Sequence, residues 1–393
     1  MPPYLAGRRA ETDEFRRLLE QETILRNLIL TGLRGVGKTV LLETFKPLAQ
    51  EAAWSWVGTD LSESASITEK NLAIRLLTDL AVVTSDIVVD TRIEQTMGFR
   101  PAETVREQTL DYETLVSFFE RTPGLVSDKL KAVLEIVWEA FRLTRPSTHG
   151  LVFAYDEAQN LADHAEKEQY PLSLLLDVFQ SIQRKEIPFM LVLVGLPTLF
   201  PKLVEARTYS ERMFHVVFLD RLNESDAKDA ILKPLDQSEH LIFSGDSIGN
   251  IVSASGGYPY FIQFICREAY DAMQQKLIAG NAPSVPMREI VRKLDEDFFA
   301  GRWARATDRQ RDLLYVISSL TYCDGEFSVQ EIVQQSKELS VKAFSSSHVS
   351  QMLTSLSNAG LIYKNRHGKY SFAVPLLGQF IQRQEMSGTN ESG

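Results

Sequence analysis

Short apolar runs alternate with amphipathic helical patterns over residues 24–222. Four runs have the length and composition of buried strands: Leu28–Leu30, Leu151–Tyr155, Met190–Val194 and Val216–Leu219. Between them, stretches such as residues 127–143 repeat apolar side chains every three or four positions, which is typical of helices with one buried face. Strands that alternate with helices predict a parallel sheet covered by helices. Residues 1–222 therefore form one predicted α/β domain.

The pattern changes after Leu222. Residues 223–300 contain helical patterns joined at Gly256-Gly257-Tyr258-Pro259, which predicts a small helical lid. Residues 301–386 contain three capped amphipathic helices, followed by an alternating stretch around His367-Gly368 that predicts a β-hairpin. Three helices and a two-stranded wing predict a winged helix. Two further segments stand apart: residues 84–126, a polar insertion with eight acidic and four basic side chains, and residues 387–393, a predicted flexible tail.

A glycine-rich turn follows the first predicted strand. It reads Gly32, Leu33, Arg34, Gly35, Val36, Gly37, Lys38, Thr39, and Val40 begins the apolar stripe of a helix. The spacing fits G-x-x-x-x-G-K-[ST], the phosphate-binding P-loop. Glycines let successive backbone N–H groups face one anion, and the helix N-terminus adds partial positive charge. Lys38 is predicted to reach the β- and γ-phosphates of ATP or ADP, and the Thr39 hydroxyl to bind Mg²⁺. The fold class is therefore α/β, a P-loop NTPase sheet with a helical lid, followed by a winged-helix domain.

A carboxylate pair ends the second strand. Asp156 and Glu157 follow the apolar run Leu151–Tyr155, and ligands of open α/β sheets bind at the carboxyl ends of strands. Asp156 is the predicted Mg²⁺ ligand, directly or through water. Glu157 is the predicted general base that polarises the attacking water.

Composition narrows the class of protein. The 393 residues are 44% hydrophobic, which is ordinary for globular domains, and no apolar run approaches the length of a membrane span. The chain has two cysteines and no apolar signal segment near its start, so we expect a cytoplasmic protein without a disulfide framework or a membrane partner. Its net charge of −10 argues against a generally sticky nucleic-acid binder. Residues 301–386, however, hold ten Lys and Arg against seven Asp and Glu.

Five pieces resemble the AAA+ class of P-loop ATPases: "LAGRRAETDEF", "TGLRGVGKT", "LVFAYDEAQNL", "LVLVGLP" and "YSERMF". The closer resemblance is to the branch of origin-recognition-like, STAND-like and transposition-regulator ATPases. It implies that the opening piece, with Leu5, Gly7 and Arg8, lies against adenine. The family carries a polar sensor at the end of the third strand. This chain has Gly195 and Leu196 there, with Thr198 the nearest hydroxyl, so the sensor position departs from the family pattern.

The resemblance also implies contacts from a neighbouring copy and from the lid. An Arg before the fourth strand reaches a neighbouring subunit's site in this family. Arg212 matches that position best and Arg207 second, so we expect a homo-oligomer in the ATP state. A surface salt bridge is the alternative for either residue. A Gly-x-Pro in the lid approaches the nucleotide base, which Tyr258 and Pro259 would do here. An ordinary helix–helix turn with Pro at a helix start is the alternative.

The predicted winged helix has two possible partners, double-stranded DNA and protein. In DNA-binding winged helices the third helix enters the major groove and the wing contacts the backbone. The short polar side chains Ser346, His348 and Gln351 and the basic wing residues Lys364, Arg366, His367 and Lys369 fit that use. The third helix, however, has no Lys or Arg from Ser345 to Gly360, and phosphate attraction usually dominates affinity. A winged helix that packs on a partner protein is the alternative.

Three whole-protein functions follow. The first is an ATPase that couples its nucleotide state to DNA binding or assembly. The second is a STAND-like signalling switch whose winged helix binds protein, which the acidic bulk of the chain and the uncharged third helix favour. The third is a P-loop kinase for a small molecule, which leaves the winged helix unexplained.

Overall fold

The computed structural model describes residues 4–96, 102–237, 243–339, 341–366 and 368–391. The chain divides into two compact units. The N-terminal unit contains residues 8–31 and 38–218, and the C-terminal unit contains residues 1–7, 32–37 and 219–393.

The strands are listed in chain order: β1 (Asn27–Gly32), β2 (Trp54–Val57), β3 (Val88–Thr96), β4 (Ala102–Thr109), β5 (Gly150–Tyr155), β6 (Phe189–Gly195), β7 (Phe214–Leu219), β8 (Phe327–Ser328), β9 (Ile362–Arg366) and β10 (Lys369–Phe372).

The α-helices are α1 (Arg9–Leu19), α2 (Lys38–Glu51), α3 (Glu69–Thr84), α4 (Tyr112–Arg121), α5 (Val126–Thr144), α6 (Pro171–Arg184), α7 (Leu199–Ala206), α8 (Ser210–Met213), α9 (Glu224–Leu232), α10 (Gly245–Ser255), α11 (Pro259–Ile278), α12 (Met287–Leu294), α13 (Gly301–Trp303), α14 (Asp308–Ser318), α15 (Val329–Glu338), α16 (Ser346–Asn358) and α17 (Leu377–Glu391). A π-helical stretch, Asp295–Ala300, joins α12 to α13. Among the described residues, no helix combines the length and apolar character needed to cross a bilayer.

A five-stranded sheet organises the N-terminal unit, in the order β2-β5-β6-β1-β7. The pairs β2–β5, β5–β6 and β6–β1 are parallel. Every position of β1, β5 and β6 is buried, as expected of parallel strands covered on both faces. The predicted α/β fold is confirmed. Because β6 lies between β1 and β5, the carboxyl ends of these three strands meet at one edge of the sheet.

Aromatic and aliphatic side chains of helices α3, α5 and α6 fill the core of this unit. The ring of Phe153 on β5 packs edge-on against Phe179 of α6, with centroids 5.0 Å apart, and against Phe189 of β6 at 5.3 Å. A buried asparagine ties the strands together: the Asn27 Oδ1 accepts the Leu191 N–H at 2.7 Å. The burial of apolar side chains in this core is the main favourable contribution to the free energy of folding.

The polar segment 84–126 adds elements outside the central sheet. Strands β3 and β4 pair antiparallel as a separate two-stranded sheet, and helix α4 follows, capped by Asp111. The Thr84 hydroxyl donates to the Leu110 carbonyl at 2.5 Å, which joins the residues just before β3 and just after β4. Residues 97–101, within this segment, lie outside the described residues.

The C-terminal unit has two hydrophobic clusters. One joins α9, α10, α11 and α12 through buried residues such as Ile231, Ile251 and Ile265. The other joins Phe261 of α11 to the C-terminal helices and strands. The four helices form the small helical part predicted for residues 223–300, and this part shares a core with the segment that follows it.

Helices α14, α15 and α16 and a small sheet follow the order of elements predicted for a winged helix. The predicted caps are present: Thr307 forms a capping box with Gln310, and Ser328 forms one with Glu331. Strands β9 and β10 make the predicted hairpin. The prediction of two strands is incomplete, because β8 pairs with β10 and makes a third. His367, which the sequence places in the predicted hairpin, lies outside the described residues, and α17 continues through Glu391 into the predicted flexible tail.

Candidate functional site

The P-loop joins β1 to α2. Strand β1 ends at Gly32 and helix α2 begins at Lys38. Gly35 and Gly37 have φ angles of 81° and 92°, a backbone region that is costly for side chains with a Cβ. Such glycines allow successive backbone N–H groups to face one anion. Val36, between them, is buried and anchors the loop.

The two halves of the predicted metal site are in direct contact in the N-terminal unit. Thr39 Oγ1 donates to Asp156 Oδ2 at 2.5 Å. Asp156 is buried, its Oδ1 accepts the Glu157 N–H at 2.7 Å, and its backbone carbonyl accepts the Leu61 N–H at 2.9 Å. A hydroxyl and a carboxylate are the oxygen donors that Mg²⁺ prefers when phosphate supplies further ligands. The residues present therefore fit a magnesium–nucleotide complex.

Glu157 follows Asp156 with an exposed side chain and a strained backbone. Its φ of 52° and ψ of 30° lie in the left-handed region, which is rare for residues other than glycine. Strain of this kind persists where surrounding structure holds it, and it clusters at functional sites. Here the side chain of Gln159 donates an amide N–H to Glu157 Oε2. The predicted base is therefore held by a neighbour in the same turn.

Helix α11 approaches the P-loop within the C-terminal unit. The Tyr260 N–H donates to the Gly35 carbonyl at 3.1 Å, and a Cβ on Gly37 would lie 4.0 Å from Pro259 Cγ. Tyr258 has a different environment: its ring packs edge-on against Phe261 at 6.2 Å, and burial raises the pKa of its phenol to about 12. Pro259 and the unpredicted Tyr260 therefore lie near the P-loop, and the contact of Tyr258 and Pro259 with a nucleotide base stays a prediction.

Arg302 carries a positive charge that acts on Arg34 of the P-loop in this unit. Burial, together with the nearby charge of Arg34, lowers the pKa of Arg302. The Arg302 guanidinium lies over the Phe298 ring, 4.4 Å from its centroid, and donates to the Phe298 carbonyl. Two neighbouring guanidinium groups favour the approach of an anion.

The opening segment has a glycine and an arginine in distinct settings. Gly7, at φ 61°, lies so close to the Asp226 side chain that a Cβ would meet Oδ2 at 2.5 Å. Arg8 is buried and pairs with Glu11 Oε1 at 3.2 Å. The adenine contact expected of these two residues stays a prediction.

The two candidate arginines differ sharply. Arg207 makes a bidentate pair with Asp177, at 3.0 and 2.8 Å, and Tyr209 Oη donates to the same carboxylate at 2.6 Å. Burial alone would raise the pKa of Asp177, but these hydrogen bonds outweigh burial and lower it. Arg207 therefore forms a salt bridge within its own chain, which was the alternative to a contact with a neighbouring subunit. Arg212, on α8, is exposed.

The winged helix presents an uncharged helix and a largely neutralised wing. Ser346, His348 and Gln351 lie exposed on α16. The wing residue Lys364 is exposed, whereas Arg366 pairs with Glu326 at 2.7 Å and Lys369 with Glu331 at 3.3 Å. Hydrogen bonds from Ser328, with a smaller effect of Lys369, lower the pKa of Glu331. The basic wing predicted from composition thus carries acidic partners from adjacent elements.

The chain resembles known proteins in both sequence and fold. Residues 4–193 match the AAA ATPase domain model, and residues 296–381 match a domain of unknown function, DUF8462. Over those 190 residues the chain is similar to AAA ATPase domains. No curated protein sequence matches the chain.

Solved structures with a similar fold include ORC proteins of Aeropyrum pernix. The Aeropyrum pernix ORC2 protein in its ADP form aligns with a TM-score of 0.55 and 14% identity, over 98% of this chain and 96% of that one. The structure of its ADPNP–ADP complexes aligns with a TM-score of 0.54 and 13% identity, over 98% of this chain and 96% of that one. The A. pernix ORC1 protein in complex with DNA aligns with a TM-score of 0.47 and 15% identity, over 99% of this chain and 95% of that one. The predicted origin-recognition-like AAA+ resemblance is confirmed at the level of the fold.

Three residues that interact with predicted site residues were not themselves predicted from the sequence: Gln159, Tyr260 and Arg302. Gln159 lies two positions after Glu157, inside the piece "LVFAYDEAQNL". Its polar amide so close to the predicted base could have marked it as a candidate. Tyr260 directly follows the predicted Tyr258-Pro259 pair. Arg302 had no local signal, because its position beside the P-loop depends on helix packing far along the chain.

Replacing Lys38 with Ala should weaken Mg-ATP binding by about two orders of magnitude, because removing one partner of a charge pair costs roughly 2–5 kcal/mol. Isothermal titration calorimetry measures this directly. Lys46→Ala is the matched control, since Lys46 is an exposed lysine on the same helix. Equal affinity in the Lys38 variant and wild type would contradict the phosphate-binding role.

Proposed function

We propose that this protein binds and hydrolyses ATP with Mg²⁺ and couples its nucleotide state to DNA binding and assembly through the winged helix. The observation that carries the proposal is the 2.5 Å contact between Thr39 and Asp156, which joins the P-loop helix to the end of β5. Structures of the ORC2 protein, which has the same fold, contain ADP or ADPNP. That likeness supports nucleotide binding here.

Each residue of the site has a defined chemical part. The P-loop amides and Lys38 hold the phosphates, and Thr39 with Asp156 would hold Mg²⁺. Magnesium, when bound, neutralises charge on the phosphates. Glu157, exposed beside Asp156, orients and polarises the water that attacks the γ-phosphate.

Glu157→Gln should leave Mg-ATP affinity unchanged and slow hydrolysis by roughly 10²–10⁴-fold, because an amide cannot accept the proton of water. Steady-state phosphate release and calorimetry separate the two effects. Glu43→Gln, an exposed glutamate of α2, is the control. An E157Q variant that turns over at the wild-type rate would remove Glu157 from the mechanism.

Coupling to the winged helix is supported by an unbroken path of packed groups in the C-terminal unit. The P-loop carbonyl of Gly35 holds the N-terminus of α11 at Tyr260. The Tyr260 ring contacts Phe298 at 5.2 Å, Phe298 contacts Phe299 at 4.9 Å, and Phe299 stacks on Phe380 of α17 at 5.1 Å. Close-packed side chains transmit displacements, because interiors deform little. A shift of the P-loop on nucleotide binding would therefore reach the winged helix.

Assembly of copies through Arg212 is the second part of the proposal. Arg212 is exposed, whereas Arg207 is held by Asp177, so Arg212 has the side chain available to reach a neighbouring copy. A guanidinium placed at a γ-phosphate from outside stabilises the charge that develops in the transition state.

Arg212→Ala should reduce hydrolysis per subunit only at protein concentrations at which copies associate, because the arginine acts on the neighbour's nucleotide. Phosphate release measured across a concentration series, with sizing by light scattering, tests this. Arg184→Ala changes another exposed arginine and is the control. A defect of equal size at every concentration would place Arg212 in its own subunit's site.

DNA binding is proposed for the face formed by α16 and the wing. Short hydroxyl and amide side chains on α16 can contact phosphates and base edges, and Lys364 offers an exposed cation on β9. The pairing of Arg366 with Glu326 and of Lys369 with Glu331 limits the attraction for phosphates. Affinity should therefore be modest and set mainly by Lys364.

Lys364→Glu should weaken binding to duplex DNA about tenfold or more and flatten its salt dependence, because a phosphate contact is lost. Glu326→Gln should strengthen binding, since Arg366 then loses its carboxylate partner. Fluorescence anisotropy with labelled duplex, with ATP and with ADP, measures both. Lys276→Glu, on α11 of the same unit, is the charge-matched control. Salt-independent binding, or none in either nucleotide, counts against a DNA role.

A protein-binding winged helix is the second candidate function. The observation that favours it is the same internal pairing of Arg366 and Lys369, together with an exposed α16 face that carries no Lys or Arg. Such a surface is suited to hydrogen bonding with a protein partner. The nucleotide site would then act as a signalling switch.

A further inference from the structure

Gln159 occupies the space between the predicted base and the end of the neighbouring strand. Its side-chain oxygen accepts the Leu196 N–H at 3.0 Å, directly after β6. Its side-chain nitrogen donates to Glu157 Oε2. A backbone N–H can only donate, so it requires the amide oxygen and turns the amide NH₂ toward the Glu157 carboxylate. The orientation of the carboxamide is therefore set by chemistry.

The glycine at the end of β6 makes room for this arrangement. A Cβ on Gly195 would meet Gln159 Oε1 at 2.6 Å and the Gln159 backbone nitrogen at 3.2 Å. Any larger residue would displace the carboxamide. Gly195 and Leu196 stand where the resembling family has a polar side chain. Because Gly195 has no side chain, the carboxamide of Gln159 can reach the end of β6 from the adjacent turn.

The turn that carries Gln159 is tied down on both sides. Lys202 Nζ donates to the Gln159 carbonyl at 2.9 Å, and burial lowers the pKa of this lysine. Asn160 Nδ2 donates to the Leu61 carbonyl at 2.8 Å. Leu61 in turn bonds to the Asp156 carbonyl at 2.9 Å. These bonds fix the backbone of the turn from which the Gln159 side chain extends.

We infer that Gln159 is a positioning residue for ATP hydrolysis, which aims the Glu157 carboxylate and links it to the end of β6. The inference rests on the proposed function of Glu157. Gln159 holds Oε2, so the second oxygen of the exposed Glu157 carboxylate, Oε1, would be the one to accept a hydrogen bond from water. Misplacing a catalytic group by about 1 Å costs up to roughly 100-fold in rate. Gln159 acts through Glu157 and does not itself take a proton.

Two substitutions in the full-length protein separate the bonds that Gln159 makes. Gln159→Ala removes both. Gln159→Glu keeps an oxygen for the Leu196 N–H but replaces the donor to Glu157 with a second carboxylate. Both should lower kcat about 10- to 100-fold while the Mg-ATP affinity stays within about threefold of wild type. Gln274→Ala, an exposed glutamine on α11, should leave both unchanged.

A second measurement does not depend on activity. Amide hydrogen exchange at Leu196, in protein without nucleotide, should accelerate in Gln159→Ala and stay near wild type in Gln159→Glu. A double-mutant cycle completes the test: in the Glu157→Gln background, Gln159→Ala should cause no further loss of kcat, because its effect passes through Glu157. Thermal unfolding of each variant confirms that it is folded.

The outcomes are distinct. Wild-type turnover in Gln159→Ala, an additive loss in the Glu157→Gln background, or unchanged exchange at Leu196 would overturn the inference and leave the ATPase proposal intact. Turnover that is absent in wild type, or insensitive to Glu157→Gln, would overturn the proposed function and the inference with it. Loss of kcat that is confined to the wild-type Glu157 background supports the positioning role.

Discussion

One hydrogen bond joins two motifs that are 117 residues apart: the Thr39 hydroxyl donates to the Asp156 carboxylate. Neither residue forms a site alone. The contact exists because β1 and β5 are both fully buried strands that end at the same edge of one sheet, with β6 between them. The large apolar core behind the strands holds that edge rigid, and a rigid edge lets two short polar side chains stay within hydrogen-bond distance. The proposed nucleotide chemistry depends on this constraint.

The strand ends differ in what they contribute. The end of β1 supplies backbone N–H groups through glycines, and the end of β5 supplies carboxylates. The end of β6 supplies space and one backbone donor, which Gln159 fills and uses. Through this arrangement a polar side chain reaches the end of β6 from the neighbouring turn.

Electrostatics of the winged helix bear on the choice between its partners. A basic wing is expected to attract phosphates, yet Arg366 and Lys369 have carboxylate partners on the adjacent segment and helix. Exposed pairs of this kind contribute little to stability, but they reduce the effective positive charge of a small surface. In the proposed DNA-binding role, affinity would depend on the few cations that remain exposed and on hydrogen bonding by α16. Glu326 and Glu331 are therefore as informative about function as the lysines and arginines.

Sequence alone determined the features that depend on local order along the chain. The P-loop, the buried strands, the caps at Thr307 and Ser328 and the hairpin all follow from glycine spacing, apolar periodicity and short side chains near helix starts. Tertiary structure decided which partners those residues meet. Arg207 is bound to Asp177, Tyr260 donates to the Gly35 carbonyl of the P-loop, and Gln159 bridges Glu157 to the end of β6. Helix and strand propensities act over a few residues, whereas these contacts depend on how distant elements pack, and packing is specified only by the whole core.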